Sequence, residues 1–151
     1  TDSAGALYQA CTPAPEDCSL RGAISKANAD PANTYTIQLE PGATYGLNLT
    51  GPGDVNNISG DLNVRASMTI DWRGATSDGL GYDRVMRIMS GNVTLINLTL
   101  TNGHALDGSL VPAVFPESGG GLYITTSGTV TLTNCKILNN RAGNGRPAWP
   151  P

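Results

Sequence analysis

Residues 92–103 read NVTLINLTLTNG, and their apolar positions change phase part-way along. Val93 and Leu95 share one phase of a two-residue alternation, while Leu98 and Leu100 share the other. Side chains of a strand point alternately to opposite faces, so one continuous strand cannot bury both pairs. A chain that turns a corner at Ile96-Asn97 can bury both, because the corner resets which side faces inward. The pattern returns at an offset of 37: NVTLINLTLTNGHA at 92–105 aligns without gaps to TVTLTNCKILNNRA at 129–142. Val93, Leu95, Asn97 and Leu98 fall on Val130, Leu132, Asn134 and Cys135.

Earlier segments fit the same register at an offset near 25. Met68 and Ile70 match Val93 and Leu95, with Asp71-Trp72 where Asn97-Leu98 would fall. Leu62 and Val64 match Met86 and Ile88, and then Leu122 and Ile124; Ile37 and Leu39 are placed opposite Leu62 and Val64. Each unit then holds three short strands, and the units run over 36–60, 61–84, 85–120 and 121–140. Repeats of roughly 20–25 residues, each a set of short strands, are the mark of a solenoid. The expected fold is all-β: a right-handed single-stranded parallel β-helix (β-solenoid) of about four coils, with a short N-terminal capping helix.

That helix is written in CSLRGAISKANAD, where Leu20, Ala23, Ile24 and Ala27 share a face and Asp17 or Ser19 can cap. The chain thus divides into a cap at 1–35, the β-helix at 36–145 and a Pro-rich tail at 146–151. Length variation gathers at one corner, in Thr50–Ser59, Gly74–Asp83 and His104–Ser118. Loops on one rim of a solenoid are a common place for binding.

Three features face outward or end the stack. Asn97 and Asn134 sit at corners, where Asn tolerates left-handed backbone, and their amides can form a ladder. Thr69, Thr94 and Thr131 should stack, with Ser67, Asn92 and Thr129 beside them. A flat Thr ladder can bind ice or a polysaccharide surface, although Thr is also an ordinary solvent-facing strand residue. No helix signal follows the last unit, so Leu122, Ile124, Val130, Leu132, Cys135 and Ile137 define a possible assembly end. The segment GALYQAC is a candidate strand for docking there, and such a head-to-tail contact would propagate as a filament. Pro147, Pro150 and Pro151 instead blunt the edge, since proline lacks a donor.

Composition narrows the function classes. The 151 residues carry a net charge of -3 with no basic cluster, which argues against nucleic acid as a partner. No apolar run approaches the ~20 residues of a membrane span. The N-terminus lacks a charged-then-apolar signal, so the chain is expected to be mature or drawn from a longer precursor. Cys11 and Cys18 flank TPAPED, a loop that a disulfide can staple, the alternative being two unpaired thiols. Cys135, at an apolar position, is expected as a buried small hydrophobe. No ligand spacing for zinc or iron–sulfur clusters occurs, and no cofactor is implied.

Candidate chemistry is sparse. Acid/base hydrolysis of a glycosidic bond needs carboxylates held several ångströms apart. Asp71, beside Trp72 and Arg73 and followed by Asp78 and Asp83, is the best sugar site, with Arg73 or Arg84 as a lyase base. The plainer alternative is a corner aspartate with solvated loop charges. His104, the single histidine, lacks paired aspartates and is read as structural. The Asn-x-Ser/Thr sites at Asn48, Asn57, Asn92 and Asn97 arise readily in so Asn- and Thr-rich a chain.

The ordered series DCSLRGAISKANAD, TIQLEPGATYGL, NISGDLNV, SMTIDWRG, RVMRIMSGNVTLINLTLTNG and GGGLYITTSGTVTLTNCKILNNRAGNG resembles the bacterial CSLREA-type parallel β-helix family over about residues 1 to 145. The resemblance implies a secreted or surface-displayed protein and says little about activity, since the family's function is mostly unassigned. The chain departs from the family at Gly22, usually Glu there, and in its Pro-rich ending. The expectation is a non-catalytic extracellular or cell-surface building block or adhesion module. It would associate with itself, with other surface proteins or with polysaccharide. A carbohydrate-active enzyme and an ice- or glycan-binding module are the alternatives.

Overall fold

The corner between Val93 and Leu100 is built as two strands around one left-handed residue. In the computed structural model, which describes residues 19–51, 54–108 and 117–145, β7 (Val93–Ile96) ends at Asn97, where φ is 54°. Strand β8 (Thr99–Thr101) follows, and Val93, Leu95, Leu98 and Leu100 are all at most 1% exposed. One αL residue turns the backbone so that both apolar pairs face the same interior, and Asn accepts that conformation more readily than most residues.

The other strands are β1 (Tyr35–Gln38), β2 (Thr44–Gly46), β3 (Leu62–Val64), β4 (Met68–Asp71), β5 (Thr76–Asp78), β6 (Met86–Ile88), β9 (Leu122–Ile124), β10 (Val130–Thr133) and β11 (Lys136–Leu138). Every third strand pairs in parallel. The first sheet is β1-β4-β7-β10, the second β2-β5-β8-β11 and the third β3-β6-β9. Three stacked parallel sheets wound by one chain are consistent with a parallel β-helix. The core lies between them, in rows such as Ile37–Ile70–Leu95–Leu132 and Leu62–Met86–Leu122.

Two register expectations are corrected. Ile37 and Leu39 do not lie opposite Leu62 and Val64: Ile37 pairs with Ile70, and Leu39 lies past the end of β1, its N–H donating to Asp71 C=O. The same two-residue alternation serves all three sheets, so it cannot say which sheet a pair joins. The segment Gly74–Asp83 is not all loop, because β5 lies within it. Its inward residue is Ser77, fully buried in line with Tyr45 and Leu100, so no apolar residue announced the strand. The remaining long connections, between β2 and β3, β5 and β6, and β8 and β9, all join the second sheet to the third.

Helix α1 (Leu20–Ala29) begins at Ser19, whose Oγ accepts the Gly22 N–H at 3.0 Å. Leu20, Ile24 and Ala27 are buried, Ala23 packs at the margin, and the helix lies on β3 and β1. Asn28 completes the seal. Its amide donates to Asn63 C=O and accepts from Arg65 N–H, both at 2.7 Å, so a side chain satisfies the free edge of β3.

Left-handed corners recur at Asn57, Asn102, Asn134 and Asn139, but two are filled by residues ill suited to them, Arg73 (φ 48°) and Leu80 (φ 54°). Leu80 is 44% exposed, so little packing compensates the clash of its Cβ with the backbone. Leu80→Asn is expected to stabilise the fold by about 1 kcal/mol, a rise of roughly 2–4 °C in a calorimetric melt. An unchanged or lower midpoint would show that the corner carries no such strain.

Candidate functional site

The outward rows of the first sheet follow from its register. Thr69, Thr94 and Thr131 align as expected, and Thr36 extends the row to four. Beside it, Asn92 N–H donates to Ser67 Oγ at 3.0 Å and Asn92 Oδ1 accepts Thr129 N–H at 2.9 Å, a polar ladder along the strand starts. The next outward row is mixed: Gln38, Asp71, Ile96 and Thr133. The second sheet adds Thr44, Thr76 and Thr99, then Lys136. At the corner, Asn134 Nδ2 donates to Asn97 Oδ1 at 3.2 Å, one rung of an amide ladder.

The sugar site drawn from Asp71, Trp72 and Arg73 does not assemble. Trp72 is fully buried, edge-on to Tyr45 at 6.4 Å between centroids, so its ring cannot stack on a sugar. Its apolar surface outweighs its single N–H, and the corner turns it inward at the place of Leu98. Asp71 Oδ1 accepts the Arg73 N–H at 3.1 Å, and its neighbours in register are Gln38 and Ile96 rather than carboxylates. Asp78 likewise braces a turn, accepting from Leu80 N–H and Asn102 Nδ2. His104 Nε2 lies 3.3 Å from Asp107 Oδ1, and Asp107 also meets Arg141 and Asn144.

Carboxylates do gather elsewhere, around Arg84. Asp61 precedes β3, Asp83-Arg84 lies just before β6, and Glu117 leads toward β9, so the second-to-third-sheet corner superimposes their charges. Arg84 Nε sits 2.5 Å from Asp61 Oδ2, Nη2 pairs with Glu117, and Nη1 donates to Ser118 C=O at 2.9 Å. Asp83 Oδ1 accepts the Arg84 N–H at 2.7 Å, and Asn63 Nδ2 donates to Asp61 Oδ1 at 2.8 Å. The guanidinium groups of Arg84 and Arg87 lie over the Tyr123 ring at 5.3 and 5.4 Å. Arg84, Asp61 and Asp83 are nearly inaccessible, so Arg84 is corrected from a lyase base to the centre of a structural ion-pair network.

Burial raises the Asp61 carboxyl to about 6 against the pull of Arg84, and the charge of Asp83 adds to the rise. Burial also raises Asp83. A carboxyl with a raised folded value binds its proton more tightly folded than unfolded. Stability therefore grows as pH falls from above about 6 to about 4, by on the order of 2 kcal/mol for Asp61. Asp54 and Asp107, whose values are lowered, act oppositely in stronger acid. Denaturant titrations should thus place the stability optimum in mild acid, and Asp61→Asn should flatten the slope between about pH 4 and about 6. An optimum at neutral pH in the parent protein would contradict the raised value.

The end of the stack beyond β9, β10 and β11 is apolar and open among the described residues. Leu132, Ile137 and Ile124 are 39%, 46% and 44% exposed, whereas Leu95, Leu100 and Ile88 directly beneath are fully buried. Leu122, Val130 and Cys135 are half-buried, so Cys135 is only partly withdrawn from solvent, its Sγ 3.4 Å from Leu95 C=O. Cys11, Cys18, the segment GALYQAC and the prolines of the tail lie outside the described residues. Among the described residues no cluster of metal-ligating side chains occurs, and no helix is long and apolar enough to cross a membrane.

Compared with known proteins, the chain matches no family model, and neither a curated protein nor a solved structure shows significant similarity to it.

Proposed function

We propose that the three sheets are the faces of a right-handed parallel β-helix of about four coils, of the kind seen in the CSLREA-type family, and that the protein works outside the cell or on its surface. In this proposal it is a non-catalytic structural building block or adhesion module that acts through surfaces rather than a cleft. One observation carries this: the carboxylates that meet are Asp61, Asp83 and Glu117, and they are occupied in holding Arg84 within the fold. Groups so paired and so buried are poorly placed to exchange protons with a substrate.

A second proposal rests on the Thr36–Thr69–Thr94–Thr131 row, whose even spacing of roughly 4.8 Å suits a repeating polymer or ice. Co-sedimentation with insoluble polysaccharides, together with release of reducing or unsaturated sugar ends, separates the possibilities. Binding without turnover, weakened by Thr94→Lys, favours adhesion through this row. Turnover abolished by Asp71→Asn would replace both proposals with an enzyme. Protease shaving of intact source cells tests the location.

A further inference from the structure

The two ends of the stack are unlike, and the difference decides how copies can join. At the start, α1 covers the apolar interior with Leu20, Ile24 and Ala27, and Asn28 occupies backbone groups of the β3 edge. At the finish, the inward residues Ile124, Leu132 and Ile137 remain exposed, and β9, β10 and β11 are the terminal strands of their sheets. A filament needs two open, complementary ends. A chain with one open end forms a closed pair instead, through the same surface on both copies.

We propose that the end formed by β9, β10 and β11 docks a second copy of this chain, end to end about a two-fold axis. This deepens the building-block proposal above, and replaces the head-to-tail filament suggested by the sequence pattern. Turning one stack over reverses its strand direction, so the apposed edges run antiparallel, a pairing at least as favourable as the parallel one within each sheet. In that arrangement β10 meets its own copy, and β9 meets β11, strands of equal length at three residues each. The apolar side chains of the two ends then cover one another.

Charge permits the contact. Between Ser118 and Gly145 the only charged residues are Lys136 and Arg141, with no carboxylate, and Arg141 is already paired to Asp107. Two such ends can therefore meet with little like-charge repulsion despite the net charge of -3.

Sedimentation velocity over a concentration series, with small-angle scattering on the same samples, tests the proposal. A concentration-dependent dimer with its long dimension nearly doubled is expected. Ile137→Lys and Ile124→Lys, on different sheets, should each weaken dimerisation at least tenfold while leaving the melting temperature of the monomer unchanged or higher. Lys26→Glu, on the exposed side of α1, should leave the dimer intact. A monomer up to millimolar concentration overturns the proposal and leaves the end to another occupant. Fibres, or a dimer broadened rather than lengthened, overturn it as well. None of these outcomes bears on turnover, so failure of the dimer is distinct from failure of the non-catalytic proposal.

Discussion

Arg21→Ala is expected to lower the unfolding free energy by about 3–5 kcal/mol, read from denaturant titration at constant pH. Arg21 is fully buried in the first turns of α1. Its Nη2 donates to Gly60 C=O at 2.6 Å, and its Nη1 donates to Asp61 C=O at 2.9 Å and reaches Ser59 C=O and Asn57 Oδ1 at 3.3 Å. Asn57, itself buried with φ 62°, returns a bond from Nδ2 to Arg21 C=O at 2.8 Å and accepts the Asn63 N–H. The guanidinium therefore ties the cap to the approach of β3, and truncation strands several buried carbonyls without a donor. Arg21→Lys should recover less than half of the loss, since an ammonium cannot span the same fork of acceptors. A loss below about 1 kcal/mol for the Ala variant would mean that the cap docks by its apolar face alone.

Trp72→Ala is the second large effect, at about 3–5 kcal/mol, because the corner cannot collapse into so large a space. Trp72 has no exposed surface and packs between α1's end of the core and Tyr45. Its Nε1 finds no acceptor among the described residues, so Trp72→Phe should cost under about 1.5 kcal/mol: lost volume is offset by relief of an unpaired N–H. The pair of variants separates packing from polarity. Equal losses for Ala and Phe would reveal a hydrogen bond to the indole.

Much of the architecture was legible in residues close together in sequence. The phase slips at Ile96-Asn97 and Thr133-Asn134 marked corners, and the Asn at each one occupies left-handed backbone. The matching of Val93 with Val130 and of Met68 with Val93 is the observed register. The helical spacing of Leu20, Ile24 and Ala27 marked the cap, and Ser19 rather than Asp17 takes the capping role. The second corner pair, Asn102 and Asn139, carries the same 37-residue offset and was visible by the same logic.

The candidate site was far less legible. Asp71, Trp72 and Arg73 are adjacent in sequence and suggested a sugar platform, yet a corner separates their side chains into core and surface. Asp61, Arg84 and Glu117 come together from three different connections and share no motif. Their only signal was position, each lying shortly before a strand of the third sheet.

The sequence by itself determined that the chain folds into short strands joined by tight corners, and which side of each strand is wet. Alternation and left-handed preference are local properties, set by a residue and its near neighbours. Only the tertiary structure decided that β1 joins the first sheet, that Ser77 fills a core position, and that Arg84 is enclosed by carboxylates. It also decided that one end of the stack is sealed while the other is open. Those outcomes depend on which distant residues stack across offsets of 23 to 37, and alternation records that a side chain is buried without recording against what.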